Sequence, residues 1–454
     1  MVLKILSGDI QIADVMVPLI KPDDVAKLST SDQLKYEALE CCIDRVLSRQ
    51  KAKKRGGKAT IDRNEFETIQ GLVSELYPKR IVEPGGSSAN TLTTLKRLLG
   101  NAIDAKILGV IGTDGPYDEK LRDGLNSAKV DLISPPAGDR MPESATSFVF
   151  QEPNGNGKRT IFTYYGNAKD IIGHDVPEEA HIEKADVLFV QGSMWKKFFP
   201  DMANDIMKKR WGQKKELWLA LPTQTEFDDW ASQDHYRFII PSADVVLGNA
   251  DELMRVYEIH PPKLDLPEDM PEEEKEKRQY EHRKPYITDA LHKLQLQLSE
   301  RDSHLLKELY VKRHKAPVAL ITDEGNPAHV VTGDSLARGK GEIVEIPVAE
   351  VSGHKYLLGA GDTSFAGFLA GHIAGLDPVH SAHLAMKLAG AKLQFQGARM
   401  LNPRERLQDF SPAKRDDLFT GEALLAEVDK KIKEIVERGF YFEPIRPGPE
   451  AYHR

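Results

Sequence analysis

Gly359-Ala360-Gly361-Asp362-Thr363-Ser364-Phe365-Ala366-Gly367-Phe368-Leu369-Ala370-Gly371 is the stretch on which the reading of this chain turns. Phe365, Phe368, Leu369 and Ile373 recur at helical spacing, and Ala366, Gly367, Ala370 and Gly371 are small enough for close packing. The glycines therefore stand at the start of a helix, where unsatisfied N–H groups and the helix dipole favour an anion. A phosphoryl group in transfer is one such anion. Asp362 beside it is placed to take a proton from an attacking hydroxyl. The competing reading is local: an N-capping Asp362 behind a tight glycine turn.

Two further stretches have the same build. Pro84-Gly85-Gly86-Ser87-Ser88-Ala89-Asn90-Thr91 precedes Leu92, Leu95, Leu98 and Leu99, which are spaced as a helix face. Paired glycines let a ligand approach the backbone, and the Asn90 amide can donate to and accept from sugar hydroxyls. An ordinary glycine turn before a helix explains the same residues. Gly248-Asn249-Ala250-Asp251-Glu252 follows the apolar run Val245-Val246-Leu247. An amide and carboxylates at a strand end can hold magnesium through water, and helix capping is the alternative.

The chain around these motifs is α/β. Ile107–Ile111, Val187–Val190, Leu217–Leu221, Val245–Leu247 and Val318–Ile321 are short apolar runs separated by helical periodicity. They predict a mostly parallel sheet covered on both faces, with ligands at the carboxyl ends of its strands. Residues 145–165 alternate around Pro153-Asn154-Gly155-Asn156-Gly157 and predict a hairpin, a small antiparallel flap. Residues 260–315 predict an acidic surface loop leading into an amphipathic helix with Ile287, Leu291, Leu294 and Leu298 on one face.

Composition narrows the class. Of 454 residues, 70 are acidic and 62 basic, a net charge of −8, which argues against nucleic acid as a partner. The basic run from Arg45 to Lys58 reads as a solvated linker. No run approaches the ~20 apolar residues of a membrane span. The start of the chain does not resemble a signal peptide, so a cytoplasmic setting is expected. Cys41 and Cys42 are adjacent and suit neither a disulfide framework nor a zinc site; with Leu39, Ile43, Val46 and Leu47 at helical spacing they are expected to be packed inside.

Taken in chain order, the motifs resemble those of the PfkB-type, ribokinase-like carbohydrate kinases. Gly359-Ala360-Gly361-Asp362 is similar to the second signature of that family, and Gly85-Gly86 through Asn90, closed by Gly100, to the first. Asn249-x-x-Glu252 resembles its magnesium motif, and Gly109-Val110-Ile111-Gly112-Thr113-Asp114 its strand and turn after the first signature. Gly8-Asp9 through Asp14 resembles its first strand, whose Asp contacts substrate hydroxyls. The resemblance spans about residues 5–400.

The resemblance implies a three-layer α/β/α sandwich with a small β lid. It implies one core over 1–454, a discontinuous lid at about 15–66 and 130–170, and a charged insertion at about 258–315. It implies an ATP- and magnesium-dependent kinase acting on a hydroxyl of a sugar or nucleoside. Gly359, Ala360 and Gly361 would form the anion hole with Asp362 as base. Asp14, Gly85, Gly86 and Asn90 would hold the acceptor, Asn249, Thr322 and Gly325 the nucleotide, and Asn249 and Glu252 the magnesium. The protein would be a monomer or homodimer.

Two stretches depart from the family pattern. Tyr356-Leu357-Leu358 stands where Asp-Thr is common, which leaves a monovalent-cation requirement open. Thr322-Asp323-Glu324-Gly325-Asn326-Pro327 keeps the threonine of the Thr-x-Gly-x-x-Gly turn and loses its glycine spacing. Lys158 to Gly166, Val190 to Trp195 and Thr60-Ile61-Asp62 look closer to the adenosine-kinase-like branch. Tyr164, Tyr165 and Trp195 there are candidates to stack on a base or simply to pack, and Arg159 to meet a phosphate or lie on the surface. Two other functions fit parts of the chain. One is a non-catalytic binder on the kinase fold; the other is a hydrolase using Ser87, whose Gly85-Gly86-Ser87-Ser88-Ala89 is a near miss to Gly-x-Ser-x-Gly.

Overall fold

The computed structural model describes residues 2–8, 11–49, 58–134, 142–151, 159–168, 184–191, 216–222, 240–267, 269–299, 317–323, 325–333, 340–348, 351, 356–395, 399–409 and 421–438. In chain order the first half runs β1 (Leu3–Gly8), β2 (Ile12–Pro18), α1 (Pro22–Val25), α2 (Thr30–Arg49), β3 (Lys58–Thr60), α3 (Arg63–Leu76), β4 (Ile81–Pro84), α4 (Ser87–Leu99), β5 (Ile103–Leu108), α5 (Asp118–Asn126), β6 (Asp131–Ile133), β7 (Ala145–Gln151) and β8 (Arg159–Tyr164). The second half runs β9 (Val187–Val190), β10 (Glu216–Ala220), β11 (Val245–Asn249), α6 (Ala250–Val256), α7 (Glu272–Ser299), β12 (Val318–Asp323), β13 (Asn326–Thr332), β14 (Ile343–Ile346), α8 (Ala360–Ile373), α9 (Pro378–Leu393), α10 (Pro403–Asp409) and α11 (Gly421–Arg438).

Among the described residues, nine strands form one sheet in the order β14-β13-β12-β11-β10-β9-β1-β5-β6. Pairing is parallel from β6 through to β12, and β13 and β14 continue it antiparallel at one edge. Successive residues of each strand point to opposite faces, and both faces are filled. Ile5, Leu247 and Leu320 enter one apolar cluster with Leu95 of α4, Phe368 of α8 and Leu384 of α9. Their neighbours Leu6, Val246 and Ile321 enter a second with Leu253 of α6 and Leu294 of α7. Helices thus cover both sides of the sheet, and the fold is the expected α/β/α sandwich.

A second sheet, β3-β8-β7-β2-β4, stands apart from the first in strand order. Val15, Phe148, Phe162 and Ala59 turn one of its faces onto Leu39 and Ile43 of α2 and Ile69 and Val73 of α3. The other face carries Asp14, Met16, Ser147, Val149, Ile161 and Thr163 in register. Asp14 therefore belongs to the second strand and the second sheet, not to the first strand. β7 and β8 pair antiparallel, while their connection at 152–158 lies outside the described residues.

Other details differ from expectation. The strand expected at Ile107–Ile111 lies earlier, at Ile103–Leu108, because Gly109 onward forms the turn. Cys41 is exposed and Cys42 only partly buried, since the buried stripe of α2 is Tyr36, Leu39, Ile43, Val46 and Leu47. Lys51, Lys53, Lys54 and Arg55, and residues 300–316 of the charged region, lie outside the described residues. α7 does bury Ile287, Leu291, Leu294 and Leu298. Among the described residues no helix is long and apolar enough to cross a membrane.

Candidate active site

Two helix starts meet at the centre of the site. α8 begins at Ala360 with Gly359 as its N-cap in the left-handed region, φ 77°. That conformation is open to glycine and strained for other residues. No side chain caps this end among the described residues, whereas Asp377 caps α9 through the amides of Val379 and His380. The first-turn N–H groups of α8 thus fit an anion. Asp362 lies in that first turn and is not the cap, so its carboxylate is released for other partners.

Those partners come from α4, which packs on α8 and starts after Gly86 at φ 95°. Asn90 Nδ2 donates to Asp362 Oδ2 at 2.9 Å, and Thr91 Oγ1 donates to the Asp362 carbonyl at 3.3 Å. The Ser87 hydroxyl also hydrogen-bonds the Asp362 carboxylate. Burial raises the Asp362 pKa above the ordinary carboxylate value; the Asn90 and Ser87 hydrogen bonds and the charges of Lys58 and Arg159 oppose it.

Asp14 faces the same space from the second sheet. Gly85 N donates to Ile12 O at 2.6 Å, which ties the glycine turn to the start of β2. A Cβ on Gly85 would lie 2.8 Å from Asp14 Cγ and 2.9 Å from Ile12 O, so only glycine lets the carboxylate pack on this turn. Asp14 is 8% exposed, and burial pushes its pKa up to about 7. Arg159 opposes that rise, the charge of Asp362 adds to it, and Arg399 and Lys58 oppose it more weakly. Arg159, partly buried, is thus near enough for its charge to act on both buried acids.

Arg399 was not legible as a site residue. It is 5% exposed, and its Nε donates to Asn90 Oδ1 at 3.1 Å and its Nη2 to Gly85 O at 3.2 Å. It holds both halves of the first glycine motif from a turn beyond α9. Lys392, fully buried in the last turn of α9, donates to Phe395 O at 2.8 Å. Burial, reinforced by the charge of Arg159, lowers its pKa to about 8 against the pull of Glu83 and Asp362. The available signal was a basic residue set among small and apolar ones, as in Ala398-Arg399-Met400.

The lead-in to the second glycine motif has a partner as well. Leu358 packs against Met16, Val149 and Ile161 on the inner face of the second sheet. That sheet therefore rests directly on the approach to Gly359. Tyr356 N donates to Leu393 O at 2.8 Å. Tyr164 is used in packing: its ring stacks on Phe66 at 4.5 Å and its hydroxyl donates to Glu143 Oε2 at 3.1 Å. Trp195 lies outside the described residues.

Along the main sheet, Asn249 and Thr322 are register partners at the carboxyl ends of β11 and β12. Asn249 Oδ1 accepts from Glu252 N at 2.9 Å, and Glu252 Oε2 accepts from Asn249 N at 2.9 Å, a reciprocal capping box. Among the described residues no group of three or more His, Cys, Asp or Glu could hold a metal directly. The side chains of Asn249 and Glu252 are both engaged in this capping box. Gly325 lies in the turn between β12 and β13, and Glu324 is outside the described residues. Arg283 of α7 bridges this region, 2.5 Å from Asp251 Oδ1 and 3.5 Å from Asp323 Oδ1. It was not expected from sequence, because residues 260–315 read as an acidic surface loop leading into an amphipathic helix.

The site residues thus fall into two groups. Asp14, Gly85, Gly86, Asn90 and Gly359 through Asp362 converge, while Asn249, Glu252, Thr322 and Gly325 gather farther along the same sheet end. The pfkB family carbohydrate kinase model matches residues 57–282, which include Gly85 through Asn90 and Asn249 through Glu252. No curated protein sequence matches the chain. Similar solved structures include a probable sugar kinase from Rhizobium etli CFN 42, with TM-score 0.61 and 18% identity over 89% of this chain and 98% of that one. An adenosine kinase from Sinorhizobium meliloti has TM-score 0.59 and 19% identity over 88% and 96%. An adenosine kinase from Schistosoma mansoni, solved with adenosine in an occluded loop conformation, has TM-score 0.62 and 16% identity over 88% and 98%. The family match thus spans just under half of the chain, and the fold of these kinases extends over most of its length.

Proposed function

We propose that the protein transfers the γ-phosphoryl group of ATP to a hydroxyl of a sugar or nucleoside, in the manner of the adenosine-kinase-like branch. The observation that carries this reading is Asp362 in the first turn of the uncapped helix α8, held by Asn90 at 2.9 Å. The base and the anion site are then adjacent by construction.

Asp362 takes the proton of the attacking hydroxyl. Burial raises its proton affinity, which suits a general base better than a solvated carboxylate. Asn90 fixes the orientation of the carboxylate. The backbone N–H groups of Gly359 through Gly361 and the α8 dipole stabilise charge on the transferring phosphoryl group. Ionised Asp14, with Gly85, Gly86 and Asn90, accepts and orients the acceptor hydroxyls. Asn249, Thr322 and Gly325 border the nucleotide. Asn249 and Glu252 would hold magnesium through water, and that ion, when bound, neutralises phosphate charge. The second sheet is the lid, and its contact with Leu358 keeps water from the anion site.

Replacing Asp362 with Asn tests this. The folded variant should lose at least about a hundredfold in kcat with the best acceptor while still binding ATP. Near-normal turnover would remove Asp362 as the base.

A further inference from the structure

Two buried amides beside the site have no role in the scheme above. Gln11 is fully buried, and neither its Oε1 nor its Nε2 has a hydrogen-bond partner among the described residues. Among the described residues it is the only side chain with both amide atoms in that state. Gln191 is 6% exposed, and its Nε2 is likewise without a partner. Buried polar groups are nearly always satisfied, so each exception needs a cause. An apolar side chain of similar length would avoid the cost of an unpaired amide.

Their placement supplies the cause. Gln11 lies in the short link from the carboxyl end of β1 to β2. The next residue, Ile12, holds the Gly85 amide at 2.6 Å, and Asp14 follows on β2. Gln191 directly follows β9, which pairs in parallel with β1 through Gly8 and Val190. Both amides therefore stand at the carboxyl ends of adjacent parallel strands, where ligands of such sheets gather. A primary amide offers two donors and an acceptor and carries no charge. It complements a neutral edge and is a poor match for a phosphate, which Arg or Lys would take.

We propose that Gln11 and Gln191 recognise the acceptor, and that they take an uncharged edge on which a hydrogen-bond donor lies beside an acceptor. A nucleobase edge and a pair of sugar hydroxyls both have this chemistry. The assignment rests on the acceptor site proposed above.

The test uses Gln11→Met and Gln191→Met in the full chain, with two readouts. Thermal melting without substrate should show both variants at or above the wild-type midpoint, because an unpaired amide has been removed. Kinetics with ATP and adenosine, ribose or ribose 5-phosphate should show an acceptor KM at least tenfold higher in each variant. The KM for ATP should stay within twofold. Adenosine as the better wild-type acceptor identifies a base edge, and ribose identifies sugar hydroxyls. A midpoint several degrees lower, an unchanged acceptor KM, or ribose 5-phosphate as the best acceptor would overturn the proposal. Should the wild-type protein phosphorylate none of these, the kinase reading fails, and calorimetry decides the glutamines separately. Binding of adenosine or ribose by wild type and its loss in Gln11→Met supports them; no binding by wild type overturns them.

Discussion

The Asn90 side chain donates to Oδ2 of Asp362 at 2.9 Å, across 272 residues of sequence. This bond joins the two glycine motifs into one site and links the groups proposed to hold the acceptor and to deprotonate it. Its geometry depends on which way the Asn90 amide faces. Arg399 settles that, because its Nε can only donate and so takes the Oδ1 end.

Arg399→Met should therefore damage both stability and chemistry. It leaves Asn90 Oδ1 and Gly85 O without this donor, a loss of about 3 kcal/mol for buried hydrogen bonds from a charged group. Urea unfolding should show it as a lower midpoint at unchanged slope. The kcat should fall at least about tenfold as the base loses its fixed orientation. Arg399→Lys keeps the charge without the fork, and should recover part of the stability and little of the rate.

Gly85→Ala probes the close approach of Asp14. The added methyl would sit 2.8 Å from Asp14 Cγ and 2.9 Å from Ile12 O, and the latter is backbone that cannot swing aside. A stability loss of roughly 1–3 kcal/mol is expected. The acceptor KM should rise by about tenfold, with a much smaller change for ATP, as measured by initial rates.

Asp14 sets a pH dependence near neutrality. Its pKa rises from 3.8 to about 7 on folding because the carboxyl is buried. The folded protein thus binds this proton more tightly than the unfolded chain. The stability contributed by Asp14 is full below about pH 4 and is lost as the pH rises through about 7. Asp14→Asn should accordingly gain stability relative to wild type at pH 8 and show no such gain at pH 4. Thermal melts at the two pH values measure this. The wild-type acceptor KM should fall between pH 6 and 8 as the carboxylate ionises, and that trend should vanish in Asp14→Asn.

Asn249 separates capping from metal binding. Asn249→Ala breaks the capping box of α6 and should cost about 1 kcal/mol. Asn249→Asp preserves the cap and should be close to wild type in melting. If Asn249 also holds the hydration shell of magnesium, Asn249→Ala should raise the magnesium concentration for half-maximal activity by about tenfold, and a titration of rate against magnesium reads this directly.

The local chemistry of the chain was legible from its residues. Glycine pairs before apolar helical spacing marked both helix starts, and five apolar runs marked strands of a covered sheet. Those signals are short-range: steric freedom at Gly86 and Gly359, continuous apolar runs in the strands, and helically spaced apolar residues in α4, α7 and α8. They could not separate a capping Asp362 from a catalytic one, because both readings need the same residue beside the same turn. Tertiary structure removed the capping reading by giving the N-cap to Gly359, and it brought Asn90 and Ser87 to the carboxylate. It likewise decided what no local pattern encodes: Asp14 on the second sheet, Arg399 across Asn90 and Gly85, Leu358 under the inner face of that sheet, and Arg283 between Asp251 and Asp323. Each is a contact between residues far apart in the chain, where charge, burial and hydrogen-bond direction are fixed only once the elements pack.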